Sequence, residues 1–545
     1  MANYFRSLFT LLKLGAQHVA NCRYHSICGL EADNNSREGL CILHSKDPNK
    51  DRQSFNNHLY QRIDNGNFDF SHFVFPEGIS FGDKHFNRDI SLSNAVFLGS
   101  VNFRSALFDK KANFNDAEFH GDAIFQEIQA REYISFMSAK FCQEADFFHA
   151  KFHDSSNFNR TSFCGLANFN WCSFGKSTSF RKAEFWYHSY FSNTTFAGAI
   201  LFENVIFLCK SEYQGTKFLG DAYFNRARFG EEALFVYSDF RGQLRFDNTV
   251  VEGDADFRKA TMRSEANFCK TIFKKKALFK TITFEKGADF TDTDFRADTS
   301  FSGSVFLDYV IFASKDTKAR IFQCINIDLS SITIKPPDAL IIRNADLRKC
   351  RLLSTDMRKC ELTGVKWQKR DGRYVVYEDE LLCRLSESID WHQLERLYRE
   401  LKQNFDERRE YHWAGNFNHS EKETCLNNPK TPCKTKTVLY LYKHISQYGE
   451  DYLTPLKWLL ILWILSASLF YGFDLLGFNC SVSTLDDKPN IANVILFSFQ
   501  SMTLMKYSDV SPVRFGGYAL NTMLNIIGPL LIGLFALALR QRFKR

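Results

Sequence analysis

The sequence predicts a β-solenoid followed by an α-helical linker and an α-helical membrane domain of two spans. Three observations predict this class. Phe accounts for 57 of the 545 residues and recurs with a fixed period through the first two thirds of the chain. A mixed, amphipathic stretch follows in which apolar residues take helical spacing. Two long apolar runs with a shorter one between them then complete the sequence. The formal charge of +7 is small for this length and gives no global reason to expect nucleic acid as a partner. The 15 cysteines are odd in number and scattered singly, which fits a reducing compartment better than a disulfide framework.

Residues 1–20 predict an amphipathic helix, because Phe5, Leu8, Phe9 and Leu12 fall on one helical face. It would pack on the neighbouring domain or lie on a membrane surface. Arg6 and Lys13 interrupt the apolar run and no small-residue cleavage site follows, so a secretory signal is not expected. Residues 21–69 hold Cys22, Cys28, Cys41 and His44, with His25 inside the first spacing. Cys-x2-His on a tight turn is metal-ligand spacing, and two distant cysteines can complete a tetrahedral zinc site. A segment this short lacks a core of its own, and a structural zinc would supply one. His25 competes with Cys28 or Cys22 as a ligand. Buried free thiols and redox chemistry remain the alternatives.

Residues 70–368 carry the repeat. From "ANFNDAEFHGD" (Ala112 to Asp122) the pattern is A-x-F-x-x-A-x-F plus three free residues, and the Phe steps alternate between six and five. From Phe97 to Phe312 Phe occupies 36 of 40 centres, the exceptions being Ala130, Tyr213, Val251 and Met262. A small or β-branched residue precedes most centres by two. Near Asp316 the phase slips, and beyond it a five-residue step is expected throughout, through Ile342, Leu347, Leu352, Met357, Leu362 and Trp367. Five-residue steps smear apolar residues round a helix, and Asn, Gly and Thr recurring along the repeats disfavour one. A solenoid fits: each step makes one side, the centre points inward, and the small residue permits a tight corner. The structural role of the Phe ladder is therefore core packing.

"ADFTDTDF" (Ala288 to Phe295) and "ADLRKCRL" (Ala345 to Leu352) resemble the pentapeptide-repeat family, with its A-(D/N)-(L/F)-x-x unit. The resemblance implies a right-handed quadrilateral parallel β-helix with four repeats per coil. Two eleven-residue periods would make a 22-residue coil, so Phe70 to Phe312 predicts about eleven coils, a rod of roughly 50 Å at ~4.8 Å per strand. The Cys/His module resembles short segments preceding the repeats in some bacterial members. Other members are acidic mimics of DNA, but Phe97 to Ser330 contains 29 basic and 29 acidic residues, which lowers that reading. No paired carboxylates, nucleophile–base pair or phosphate loop stands out, so the chain is not expected to be an enzyme.

Residues 369–450 predict a helical linker. Leu394, Leu397, Tyr398, Leu401 and Phe405 have helical spacing; a polar break at 406–409 precedes Tyr411, Ala414 and Phe417. The pair resembles one tetratricopeptide-like helical hairpin, and 427–436 reads as a loop. Within residues 451–545, Pro455 to Phe473 and Tyr518 to Leu539 are long enough to cross a bilayer. Basic residues flank the outer ends of both, at Lys434, Lys436 and Lys443 and in "RQRFKR", so both termini are expected to be cytoplasmic. The bilayer expected is the bacterial inner membrane.

Between the spans "NIANVILFSFQSMTLMKY" (Asn490 to Tyr507) is apolar but too short to cross, which predicts a re-entrant segment. With Ser498, Gln500, Tyr507, Asp509 and Pro512 as anchors, the region resembles the pore helix and filter of two-span potassium channels. That resemblance implies a tetramer, a gating hinge at Gly528, and a filter-like stretch of Thr503, Leu504, Met505, Lys506, Tyr507, Ser508 and Asp509. The family's T-V-G-Y-G falls on Leu504 to Ser508, and its glycines are missing. Lys506 and Ser508 there would cost about 1–2 kcal/mol at each left-handed position. Two ammonium groups 6 Å apart would repel by roughly 3 kcal/mol at an effective dielectric of 20. The expected function is an ion-channel-like pore, not potassium-selective, coupled to a solenoid that senses or binds a protein partner. The alternative is a non-conducting membrane-anchored scaffold.

Overall fold

The structure, a computed structural model, describes residues 20–33, 38–316, 320–323, 325–336, 338–384, 389–478, 489–505 and 510–544. The helix expected over residues 1–20 lies outside them except for Ala20, and so do Lys506, Tyr507, Ser508 and Asp509. Contacts divide the chain into two units: 1–355 with 360–366, and 356–359 with 367–545.

In the first unit, strands β1 (Val74–Phe75) to β49 (Glu361–Thr363), most of them two residues long, stack into four parallel sheets of 11, 13, 12 and 13 strands. This is a four-sided parallel β-solenoid of about 13 turns. Val74 pairs with Val96 and Ala123 with Ala145, so each regular coil takes 22 residues. The phase slip expected near Asp316 is where the coils lengthen. Ser300 pairs with Asp328 and Val310 with Leu340, which makes those coils 28 and 30 residues long. From Ile342 the expected five-residue step holds: Ile342 pairs with Leu362 and Asp346 with Lys366, a coil of 20 residues with four five-residue sides. The turns are set by hydrogen bonding between coils, so extra residues loop out of the coil without breaking the stack.

The core is a herringbone of aromatic rings. Equivalent rings of successive coils stack face to face, as Phe119 on Phe141 with centroids 4.5 Å apart and planes at 2°. Rings from opposite sides meet edge to face, as Phe114 and Phe125 at 5.5 Å and 87°. Both geometries are the ones the aromatic quadrupole favours, worth about 0.5–1.5 kcal/mol per pair beyond area burial. The residue two before a centre is often Ala or a hydroxyl, and several of the hydroxyls donate to a carbonyl of the preceding coil. Thr161 donates to the carbonyl of Phe136 at 2.8 Å and Thr271 to that of Phe246 at 2.8 Å.

Every eleventh residue from His72 to Gly303 adopts a left-handed conformation, with φ between 54° and 69°. Most are not glycine: Asp116, Arg160, Trp171 and Lys270 are among them. Their amides donate along the stack, Ser105 to the carbonyl of Gln126 at 2.8 Å and Asp116 to that of Met137 at 2.9 Å. The inter-coil bond offsets the left-handed cost of about 1–2 kcal/mol.

In the second unit a hairpin of β50 (Gln368–Arg370) and β51 (Arg373–Val375) leads into helices. Two helices, Trp391–Glu407 and Tyr411–Asn427, pack as a hairpin over Leu394, Leu397, Tyr398, Leu401, Phe405, Ala414 and Phe417. Trp367 sits edge-on to Phe417, with centroids 5.0 Å apart. The loop expected over 427–436 ends early, because a helix spans Cys433–Ser446. Pro432 stands at its N-cap, where a missing amide costs the helix nothing. Asp379 holds this unit's polar core. Its carboxylate accepts from Arg370 at 2.7 Å, Arg373 at 2.9 Å and the Tyr398 hydroxyl at 2.7 Å. Burial alone would raise the Asp379 carboxyl, but the Arg373 and Arg370 guanidiniums and Tyr398 hold it below the usual carboxylate range.

Two helices are long and apolar enough to cross a membrane, Leu453–Gly472 and Phe515–Arg540. Only 17% and 22% of their apolar windows are buried, which is not the burial of soluble core helices.

Candidate functional site

Two places gather the residues that carry chemistry or gating in the sequence. The first is the cysteine–histidine module. Cys22 precedes a one-turn helix, His25–Cys28, which closes on Gly29 at φ 66°. That turn directs Cys28 back toward Cys41 and His44, themselves on a turn closed by the His44 amide on the Cys41 carbonyl. Cys22, Cys28, Cys41 and His44 are all buried, and their ligand atoms lie within 4.8 Å of one another. The Cys41 and Cys28 sulfurs are 3.7 Å apart; His44 Nδ1 is 3.2 Å from Cys41 Sγ and 3.5 Å from Cys22 Sγ. A tetrahedral zinc with bonds of about 2.3 Å to sulfur has edges of about 3.8 Å, so the donor set fits that ion. Backbone amides of Cys41 and Leu30 donate to the Cys22 and Cys28 sulfurs, which favours thiolates. His25 is not part of the cluster: it is exposed and its Nδ1 bonds to the Leu30 carbonyl.

Burial pushes the Cys41 thiol up to about 12 and lowers His44 to about 4, against a backbone hydrogen bond to Ser71. The module is anchored on the first coils. His44 lies edge-on to Phe73 at 5.1 Å, the Val74 amide donates to Leu43, and Phe55 packs on Phe75. The Lys50 ammonium is buried there, donating to the carbonyls of Ser45 at 2.9 Å and Val74 at 2.5 Å.

The second place lies between the two long helices. A helix of 13 residues, Ile491–Thr503, is capped by the Asn490 side chain on the Asn493 amide. It packs against both long helices through Phe470, Val494, Phe497, Met502 and Leu524. Strands Leu476–Phe478 and Val510–Pro512 pair antiparallel and bracket the segment. Ser498 is fully buried and donates to the Val494 carbonyl; Trp463 donates to the Ile495 carbonyl at 3.1 Å.

Of the filter-like residues, Thr503 bonds back to the Phe499 carbonyl. Leu504 ends the helix in the left-handed region at φ 56°, and Leu504 and Met505 are exposed. A Cβ on Gly528 would lie 2.4 Å from the Met502 carbonyl oxygen, so this glycine is where the short helix and the second long helix touch backbone to backbone. Pro529 follows inside the same helix, and its missing amide frees a carbonyl of the preceding turn. Sequence reasoning overlooked that neighbour, although a glycine–proline pair inside an apolar run is visible there.

A family model of pentapeptide repeats, matched in nine copies, covers residues 81–129, 213–261 and 235–281. No curated protein and no solved structure is similar enough to this chain to count as a match. The matched stretches lie inside the stacked coils, so the chain carries pentapeptide repeats wound as a parallel β-solenoid, followed by helices of which two are candidate membrane spans.

Proposed function

We propose that this is a membrane protein in which a cytoplasmic pentapeptide-repeat solenoid, sensing a signal or binding a protein partner, is coupled to a two-span ion-channel-like pore. The observation that carries the reading is the 13-residue helix Ile491–Thr503. It is too short to cross, is packed between two span-length helices, and contacts the second through Gly528. A plain two-helix anchor has no need of such an element. On this reading the pore is assembled by several copies, four by resemblance, in the bacterial inner membrane with both termini cytoplasmic. Lys506 stands in the sequence where the potassium filter carries a glycine, which favours a weakly selective or anion-favouring path over a potassium-selective one if it faces the pore, and no catalysis is assigned. The test is current from purified protein in planar bilayers, with Lys506→Ala compared for its anion/cation preference. Conductance with a shifted preference is expected. A stable oligomer that passes no current under any stimulus would instead be a membrane-anchored scaffold.

The Cys3His cluster is assigned a structural zinc, held by Cys22, Cys28, Cys41 and His44. Full loading leaves no open coordination position, so the ion would fold the module rather than catalyse. One zinc per chain is expected by elemental analysis, lost in Cys41→Ala and retained in His25→Ala.

A further inference from the structure

We infer that a second transition-metal site lies on one corner of the solenoid, built by His188, Cys209 and Glu231, and that it takes a divalent cation of the zinc class with one position left open. The three residues come from three successive coils. Phe185 pairs with Phe207 and Phe207 with Phe229, which brings the corners that follow those strands into one stack. One ligand atom from each residue falls within 4.8 Å of the others. A regular 22-residue coil places Cys209 directly over Glu231, and His188 reaches in from the coil before.

Three further observations point to a ligand. His188 Nδ1 is buried and has no hydrogen-bond partner among the described residues, an arrangement that folded proteins rarely leave standing. Glu231 has no ion-pair partner among them either. The cation of the same corner, Lys210, is drawn to Glu212 at 2.6 Å and Glu232 at 3.9 Å. Finally, the set balances charge: a thiolate, a carboxylate and a neutral imidazole neutralise a divalent ion. Mixed sulfur, nitrogen and oxygen donors suit zinc or cobalt(II) and not magnesium or calcium. Glu231 is exposed, so the fourth position faces solvent and would hold water or an incoming donor.

The site would also staple three coils already joined by hydrogen bonds, stacked rings and ion pairs such as Lys210–Glu232. It is independent of the pore and of the Cys3His cluster. The test is cobalt(II) titration of the full-length protein, reduced and solubilised in detergent, followed by thiolate-to-cobalt absorption and by bound metal per chain. Two equivalents are expected for the unaltered chain. Cys209→Ala should lose one and keep the absorption of the Cys3His site. Cys41→Ala should lose the other and keep the one assigned to Cys209. His188→Ala should weaken only the Cys209 equivalent. Equal stoichiometry and affinity in Cys209→Ala and the unaltered chain would overturn the site, whatever the Cys3His cluster does.

Discussion

Single residues in the solenoid core have outcomes that follow from their surroundings. Tyr213 takes a Phe position, stacks on Phe191 at 5.1 Å and on Phe235 at 4.6 Å, and is fully buried. Its hydroxyl has no hydrogen-bond partner among the described residues. A buried unsatisfied hydroxyl costs about 1–3 kcal/mol, so Tyr213→Phe is expected to stabilise the protein by roughly that amount in denaturant titration. Phe169→Ala opens a cavity among rings that cannot collapse and should cost about 3–5 kcal/mol. At Gly528 any side chain meets the Met502 backbone. Gly528→Ala should cost about 1–3 kcal/mol by overpacking, read as lost thermal stability of the detergent-solubilised protein. A hinge that only bends would tolerate the methyl group.

At the scale of elements, the left-handed corners make a second test. Arg160 is held at φ 57° and its side chain is exposed, so Arg160→Gly relieves a cost of about 1 kcal/mol against the extra unfolded-state entropy of glycine. A small net gain is expected, whereas Arg160→Pro should break the corner. In the helical linker, acid acts in two stages. Burial lowers the imidazole of His419, partly opposed by Glu423. Its unfolded form therefore binds protons more readily, and stability falls as pH drops below the ordinary histidine value of 6.5. Asp379 is held low by Arg373, Tyr398 and Arg370. Its contribution is full above the ordinary carboxylate value of 3.8 and is lost as pH falls through the lower folded value. His419→Gln should flatten the upper stage and Asp379→Asn the lower one in a pH series of thermal melts.

At the scale of the whole molecule, the contacts fall into two units with cores of different chemistry. Phe stacks and coil-to-coil hydrogen bonds hold the solenoid; a helical hairpin, a buried carboxylate network and the apolar helices hold the other. Unfolding is expected in two transitions by calorimetry. A zinc chelator should lower the solenoid transition, because Cys22, Cys28, Cys41 and His44 pack on the first coils. Acidification should lower the linker transition first. One transition moved equally by both treatments would contradict the division.

Much of this was legible in the sequence, and the reason is periodicity. The Phe ladder and its 22-residue coil recur with few exceptions as far as Phe312, a small or β-branched residue precedes most centres, and burial constrains both. The four zinc-type ligands and the two span-length helices were legible because residue chemistry alone singles them out. The left-handed corners were hidden because inter-coil hydrogen bonds, not glycine, maintain them. The 28- and 30-residue coils were hidden because nothing local says where a chain loops out and rejoins the stack. The exclusion of His25, the contact of Gly528 with Met502 and the meeting of His188, Cys209 and Glu231 were decided only by tertiary structure. The 22-residue coil stacks Cys209 over Glu231, but the approach of His188, the turn that holds His25 aside and the meeting of two helix backbones at Gly528 follow from no spacing in the sequence.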